Sequence, residues 1–246
     1  MIRLPPTVPL PLRPPDDALV LLADGAIELV GRVIDSSNAT YVVEVSGHEH
    51  TVWAVYKPQA GERELWDFEP GLHRRERAAY LLSEWLGWGL VPPTIIRTQA
   101  PAGVGSLQLY VDAVDADHYF TLFGRAREVQ DALRAIAAFD VVTNNADRKS
   151  GHVLADHEGR VWAIDHGLCF AASEKLRTVI WDFAGEEVPA GLLAALAPLA
   201  DRVPDEIAAL LEEAEVDALR SRVRRFLDRG SYPYDPTGRR IPWPLV

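Results

Sequence analysis

The chain is poor in the residues that would assign it to several common classes. Among 246 residues there is one cysteine, Cys169, which excludes a disulfide framework and any thiolate metal cluster. It falls in an apolar run and reads as a small core residue. No stretch approaches the roughly 20 apolar residues that a membrane span requires. The proline-rich segment from Met1 to Asp17 has no continuous apolar core and does not read as a secretory signal, so a cytoplasmic protein is expected. The net charge of −11 argues against nucleic acid or an anionic membrane as partner, because phosphate-rich surfaces need a basic footprint. Lysine is nearly missing: of 25 basic residues only Lys57, Lys149 and Lys175 are lysines. Generic positive charge is therefore carried by arginine, and a lysine is more informative than usual, since a compact ammonium suits a phosphate contact. Lys175 alone reads as a chance survivor.

What is present is an ordered succession of strands and helices. Residues 1–17 read as a flexible proline-rich arm. From Leu19 to Pro58 the pattern is β, with strands predicted at Ala26–Ile34, Thr40–Val45 and Thr51–Tyr56 separated by turn chemistry. A helix is predicted over Leu72–Leu86, with Ala78, Ala79, Leu82 and Leu86 on one face and Gly87 as its stop. Strands at Thr94–Arg97 and Ser106–Val111 complete a five-stranded sheet. Asp112, Asp115 and Asp117 read as a solvated acidic linker in preference to a cation site. Beyond it come an amphipathic helix over Ala126–Val142, a short hairpin, and helices near Ala190–Leu199, Pro204–Leu211 and Val216–Leu227. The arginines of 220–225, with Arg229, read as the solvated face of the last of these.

The hairpin carries the chemistry. Strands His152–Ala155 and Arg160–Ile164 flank the turn Asp156-His-Glu-Gly159, so a tight reversal should bring Asp147, before it, close to Asp165, after it. Two neighbouring carboxylates repel, a cost usually met by a cation. The pair suggests phosphoryl transfer, with Asp147 orienting an attacking hydroxyl and Asp165 holding metal on the phosphates. Arg148 or Lys149 would neutralise charge on the transferring group.

Lys57 ends the apolar strand Val52-Trp-Ala-Val-Tyr56. Alternation places it on the face of Val55 and Trp53, opposite Ala54 and Tyr56. There it would meet phosphate oxygens, held by a helix glutamate, for which Glu76 is the choice. Ser36 and Ser37, in the turn after the first strand, either lay hydroxyl and N–H groups over phosphates or form an ordinary polar turn.

In order along residues 30 to 170, Ser36-Ser37, Val55-Tyr-Lys-Pro58, Ser106-Leu-Gln-Leu-Tyr-Val-Asp112, Asn145-Ala-Asp-Arg148 and Ala163-Ile-Asp-His-Gly-Leu168 resemble the phosphatidylinositol 3-/4-kinase superfamily. This superfamily is part of the wider protein-kinase-like fold, and the type II phosphatidylinositol 4-kinases are nearest in appearance. The resemblance implies a phosphate loop at Ser36 and Ser37, an α-phosphate lysine at Lys57, and an adenine-binding hinge at Tyr110 and Val111. It makes Asp147 the catalytic aspartate and Asp165 the metal aspartate. Five residues after the catalytic aspartate the family carries a metal-binding asparagine. Here that position is His152, an imidazole better suited to Mn²⁺ than to Mg²⁺. The cysteine-rich anchoring insert of the type II lipid kinases is absent.

The expectation is an α+β, two-lobed, protein-kinase-like fold, with a β-rich N-lobe containing one helix (18–111) and a mostly helical C-lobe (112–246). Its partners would be ATP, Mg²⁺ or Mn²⁺, and a hydroxyl-bearing acceptor: protein Ser/Thr, an inositol-like small molecule or a phosphoinositide. The alternatives are a catalytically weak or inactive ATP-binding module, and a metal-dependent phosphoesterase that would leave Lys57 without a role.

Overall fold

A computed structural model describes residues 17–33, 36, 38–47 and 50–245. Most of the proline-rich arm (residues 1–16) and Ser37 lie outside the described residues. The chain divides into two compact units, residues 1–77 with 92–112 and residues 78–91 with 113–246.

The first unit opens with α1 (Ala18–Asp24), followed by β1 (Ala26–Arg32), β2 (Tyr41–Gly47) and β3 (His50–Pro58). It takes in the first part of α2 (Leu72–Trp85), then β4 (Thr94–Arg97) and β5 (Gly105–Leu109). The strands form one antiparallel sheet in the order β1-β2-β3-β5-β4. Register sets its two faces. Val43 pairs with Ala54, Val45 with Val52, and Tyr56 with Leu107. These residues pack with Ala18, Leu21 and Leu22 of α1 into one apolar cluster. The alternate residues Trp53, Val55 and Lys57 lie on the opposite face.

The helix α1 occupies part of the stretch expected to be β. Its apolar run buries Ala18, Leu21 and Leu22, the i, i+3, i+4 spacing of a helix seated on a sheet. The first unit thus has a helix beyond the one expected. Gly25 ends it where a Cβ would stand 2.6 Å from both the Leu21 carbonyl oxygen and Val45.

The second unit is mainly helical. It contains the remainder of α2, α3 (Tyr119–Leu122), α4 (Arg127–Thr143), the hairpin β6 (Val153–Ala155) and β7 (Val161–Ala163), α5 (Ala190–Leu196), α6 (Asp205–Ala208) and α7 (Glu213–Arg229). The second half of α4 is buried nearly all round, from Ala135 through Asp140 and again at Val142 and Thr143, so this helix enters the core rather than lying on it. Phe139, Phe170, Leu196, Leu219, Val223 and Phe226 share one cluster. The helix expected at Pro204–Leu211 shrinks to the single turn of α6.

Two charged groups depart from expectation. Asp117 is not a solvated linker residue. It is buried and receives both terminal nitrogens of Arg125, at 2.9 and 2.5 Å. Arg222 is not on a solvated face, being only 5% exposed. Asp117 has Arg125 as its partner, and Arg222 has the Val142 and Ala171 carbonyls, the kind of contact that offsets the burial of a charge.

Candidate functional site

The hairpin end of the second unit is built around one buried ion pair. Arg148 and Asp140 are both fully buried. Arg148 Nε donates to both Asp140 oxygens, at 3.1 and 3.0 Å, and Nη2 to Oδ1 at 3.0 Å. Nη1 donates to the carbonyls of His152 (3.2 Å) and Ile164 (2.7 Å), and Nη2 lies 2.8 Å from His166 Nε2. Burial alone would depress the Arg148 pKa; Asp140 reverses this and raises it. This corrects the expected role of Arg148. Its guanidinium is spent inside the protein and does not reach a transferring phosphoryl group. It ties α4 to both strands at the open end of the hairpin, fixing the backbone on either side of Asp147 and immediately before Asp165.

Two asparagines complete the scaffold. Asn144 ends α4 in the left-handed region (φ 56°), which Asn tolerates better than most residues. Its Nδ2 donates to the Ala171 and Ser173 carbonyls, and its Oδ1 accepts from the Lys175 amide. Asn145 donates to Asp140 (3.0 Å) and accepts from the Asp147 amide (3.0 Å). The turn at the far end of the hairpin is held by Asp156, which accepts from the Glu158 and Arg160 amides and from Trp162 Nε1. Asp140 was not singled out from the sequence. The signal was there: a carboxylate inside the apolar run Ile136-Ala-Ala-Phe-Asp-Val-Val142 requires a buried partner.

On this scaffold the structure brings Asp147, Lys149, His152 and Asp165 together. Lys149 Nζ lies 3.2 Å from Asp147 Oδ2. Burial is the main force raising the Asp147 pKa; Lys149 opposes it and the Asp165 charge adds to it. His152 Nε2 lies 3.4 Å from Asp165 Oδ2, while Nδ1 accepts from the Lys149 amide at 3.4 Å. In a neutral ring, that leaves the proton on Nε2, facing Asp165. Asp165 itself has φ +60°, a conformation that costs about 1 kcal/mol or more and that clusters at functional sites.

Among the described residues, no three His, Cys, Asp or Glu side chains form a group able to hold a metal. Of the two expected metal residues, Asp165 offers a carboxylate of the kind that holds a hard divalent ion together with phosphate oxygens and water. His152, accepting at Nδ1 and carrying its proton on Nε2, offers no free ring lone pair.

In the first unit, Lys57 Nζ meets Glu76 Oε1 at 2.5 Å, with the glutamate side chain 3% exposed and the lysine 24%. Gly105, paired with Pro58 across β3 and β5, lets the two backbones approach: a Cβ there would stand 2.4 Å from the Lys57 carbonyl oxygen. The Ser36 hydroxyl is within 2.8 Å of Thr40 Oγ1, inside its own turn. Tyr110 extends the β3 pairing by donating its amide to the Trp53 carbonyl (2.9 Å), and Val111 follows, half-buried. Glu62 was also missed from the sequence. It accepts the Gly71 amide (2.7 Å) and the His73 amide (3.2 Å) where α2 begins. Burial would raise its pKa, but the His73 and Gly71 bonds outweigh that and lower it.

Known structures share this architecture. The Golgi casein kinase with Mn/ADP bound aligns at TM-score 0.55 and 13% identity, covering 94% of this chain and 80% of that one. Hydra Fam20 with sugar aligns at 0.54 and 14%, covering 86% of each chain. The Helicobacter pylori proinflammatory kinase CtkA aligns at 0.52 and 12%, covering 86% of this chain and 94% of that one. At such identities the likeness defines the fold, which is protein-kinase-like: an antiparallel sheet in the N-terminal part and helices in the C-terminal part. No family model matches the sequence. The Mycobacterium tuberculosis protein Rv2133c is 42% identical over an alignment of 267 residues, covering 93% of this chain and 95% of that protein, and the chain belongs to the same family as Rv2133c. No helix among the described residues is long and apolar enough to cross a membrane.

Proposed function

We propose that the protein is an ATP-dependent phosphotransferase that moves the γ-phosphoryl group to an alcohol. The observation that carries this reading is the Lys57–Glu76 ion pair on a protein-kinase-like fold, because a strand lysine held by a helix glutamate is the element that grips nucleotide phosphates in protein kinases. Asp147 orients the acceptor hydroxyl, and its raised pKa suits a group that exchanges a proton. Asp165, with His152 beside it, is the metal-binding residue. A bound Mg²⁺ or Mn²⁺ would supply positive charge to the phosphate oxygens. The Mn/ADP of the Golgi casein kinase structure supports that pairing of nucleotide and metal. Ser36 and Ser37 are assigned to the phosphates, and Tyr110 and Val111 to the adenine. Residues 18–111 and 112–246 are taken as the two lobes. Arg148 is a positioning residue, acting through the His152 and Ile164 carbonyls.

The acceptor is a protein Ser/Thr, an inositol-like molecule or a phosphoinositide; the resemblance in motif order to phosphatidylinositol 3-/4-kinases keeps the last two in play. A second reading is favoured by one observation: His152 turns an Nε2 proton, rather than an amide oxygen, toward Asp165. That arrangement suits a nucleotide-binding module with weak turnover.

Thermal shift and labelled-ATP transfer separate the two. ATP with Mg²⁺ or Mn²⁺ at 100 times its dissociation constant should add about 2.7 kcal/mol of stability. Transfer of γ-phosphate, lost in Asp147→Asn while the nucleotide shift remains, is the result expected of the kinase. A shift with no transfer selects the binding module. Absence of a shift with either metal ends both.

A further inference from the structure

Three of the arginines in 220–225 and at 229 are given no role by phosphoryl transfer to an alcohol. Arg222, Arg225 and Arg229 stand at i, i+3 and i+7 on α7, one face of a helix. With Arg240, Glu174 and Tyr234 they line a cavity of about 260 Å³ in the second unit. None of Asp147, His152 or Asp165 lines it. We propose that this cavity is a binding site for a small molecule carrying two phosphate groups.

Arg222, more deeply buried than Arg225 or Arg240, is held in place and incompletely satisfied. Arg222 is 5% exposed; its Nε donates to the Val142 carbonyl (2.9 Å) and its Nη1 to the Ala171 carbonyl (3.0 Å). Its Nη2 is buried with no hydrogen-bond partner, whereas nearly all buried donors have one. Burial, reinforced by the neighbouring Arg225, lowers its pKa to about 10 against the opposing pull of Glu174. A bound anion would reverse that cost.

The rim is also built. Arg240 is anchored through its backbone: its amide donates to Asp235 (2.8 Å), and its carbonyl accepts from the Thr178 amide (3.1 Å) and Trp181 Nε1 (3.0 Å). Its guanidinium lies 3.6 Å from Glu174, and that of Arg225 lies 3.9 Å away. Both separations are beyond good hydrogen-bond distance. One carboxylate is shared between two cations and satisfies neither. Four guanidiniums against one carboxylate leave an excess of three positive charges in a chain of net charge −11, which is a local potential rather than a general one. Guanidinium forks match phosphate oxygens bidentately, and the excess charge matches a diphosphate better than a monocarboxylate. The volume falls just under the range of about 300–1,000 Å³ usual for drug-sized ligands, which limits the ligand to a small one.

Sodium pyrophosphate is the probe, added without divalent cation to the parent chain and to Lys57→Ala. The second protein removes the lysine assigned to ATP, so this test does not depend on the phosphotransferase reading. At 100 times the dissociation constant, Tm should rise by about 5–11 °C in both proteins, with no comparable rise in sodium chloride of equal ionic strength. Arg225→Ala/Arg240→Ala should bind at least about tenfold more weakly, the loss of one or two charge-assisted bonds. Glu174→Ala, which removes the competing carboxylate, should bind more tightly. The proposal is overturned if sodium chloride reproduces the shift, if Lys57→Ala abolishes it, or if affinity in Glu174→Ala is unchanged or weaker.

Discussion

Arg148→Met should damage this protein far more than Asp140→Asn, although the two residues form one ion pair. Breaking a fully buried pair costs about 3–5 kcal/mol, because the surviving charge is stranded. In Asp140→Asn the stranded charge is Arg148, which keeps the His152 and Ile164 carbonyls. Tm should therefore fall by roughly 6–20 °C, at about 2–4 °C per kcal/mol for a chain of this size. In Arg148→Met the stranded charge is Asp140, which keeps the Asn145 amide (3.0 Å) and the Thr178 hydroxyl (3.4 Å). The part-buried Ile164 carbonyl also loses its guanidinium donor, at about 1–3 kcal/mol, while the His152 carbonyl keeps the Ile164 amide (3.0 Å). The total of about 4–8 kcal/mol is comparable with the whole stability of a typical domain. Arg148→Met should thus be largely unfolded at growth temperature, while Asp140→Asn stays folded. Differential scanning fluorimetry and far-UV circular dichroism decide it. An Arg148→Met protein as stable as Asp140→Asn would show that the guanidinium does not organise the hairpin.

Other perturbations follow from the same geometry. Asn144→Gly keeps the left-handed backbone but loses three side-chain bonds to the 171–175 segment, so urea titration should show a loss of about 2–4 kcal/mol; a loss under about 0.5 kcal/mol would remove Asn144 as a staple. Asp147 has its pKa raised on folding, so its ionisation costs stability as pH rises from the unfolded carboxylate value through the folded one, and that cost persists above it. Asp147→Asn should then melt above the parent at pH 7, with the gap closing below the carboxylate range; a variant less stable at pH 7 contradicts the sign. Gly105→Ala forces a Cβ against the Lys57 carbonyl and should cost about 1–3 kcal/mol while weakening ATP binding; an unchanged Tm and unchanged affinity would mean the strands part freely there.

Much of the local structure was legible because it depends on neighbours in sequence. Alternation in Val52-Trp-Ala-Val-Tyr-Lys57 placed the lysine on its face, and the paired register with β5 agrees. The Asp156–Gly159 turn gave the hairpin whose ends gather Asp147 and Asp165. The helix starting at Leu72 was marked by its apolar spacing, and Glu76 upon it does reach Lys57. Charges that changed sides left no such local mark. Arg148 looked like a phosphate ligand because it stands beside Asp147. Asp117 and Arg222 looked solvated because each stands among charges of its own sign, Asp112 and Asp115 for the one and Arg220, Arg224 and Arg225 for the other.

Turn chemistry and hydrophobic period by themselves determined the strands, most of the helices, and the convergence of the hairpin ends. Tertiary structure decided which charges are buried and what they hold. Arg222 finds an acceptor 80 residues away at Val142, and Arg148 finds one 16 residues on at Ile164, just past the far strand of the hairpin. The reason is physical: burial of a charge is decided by whichever distant groups can satisfy it, and no local pattern records where they will be.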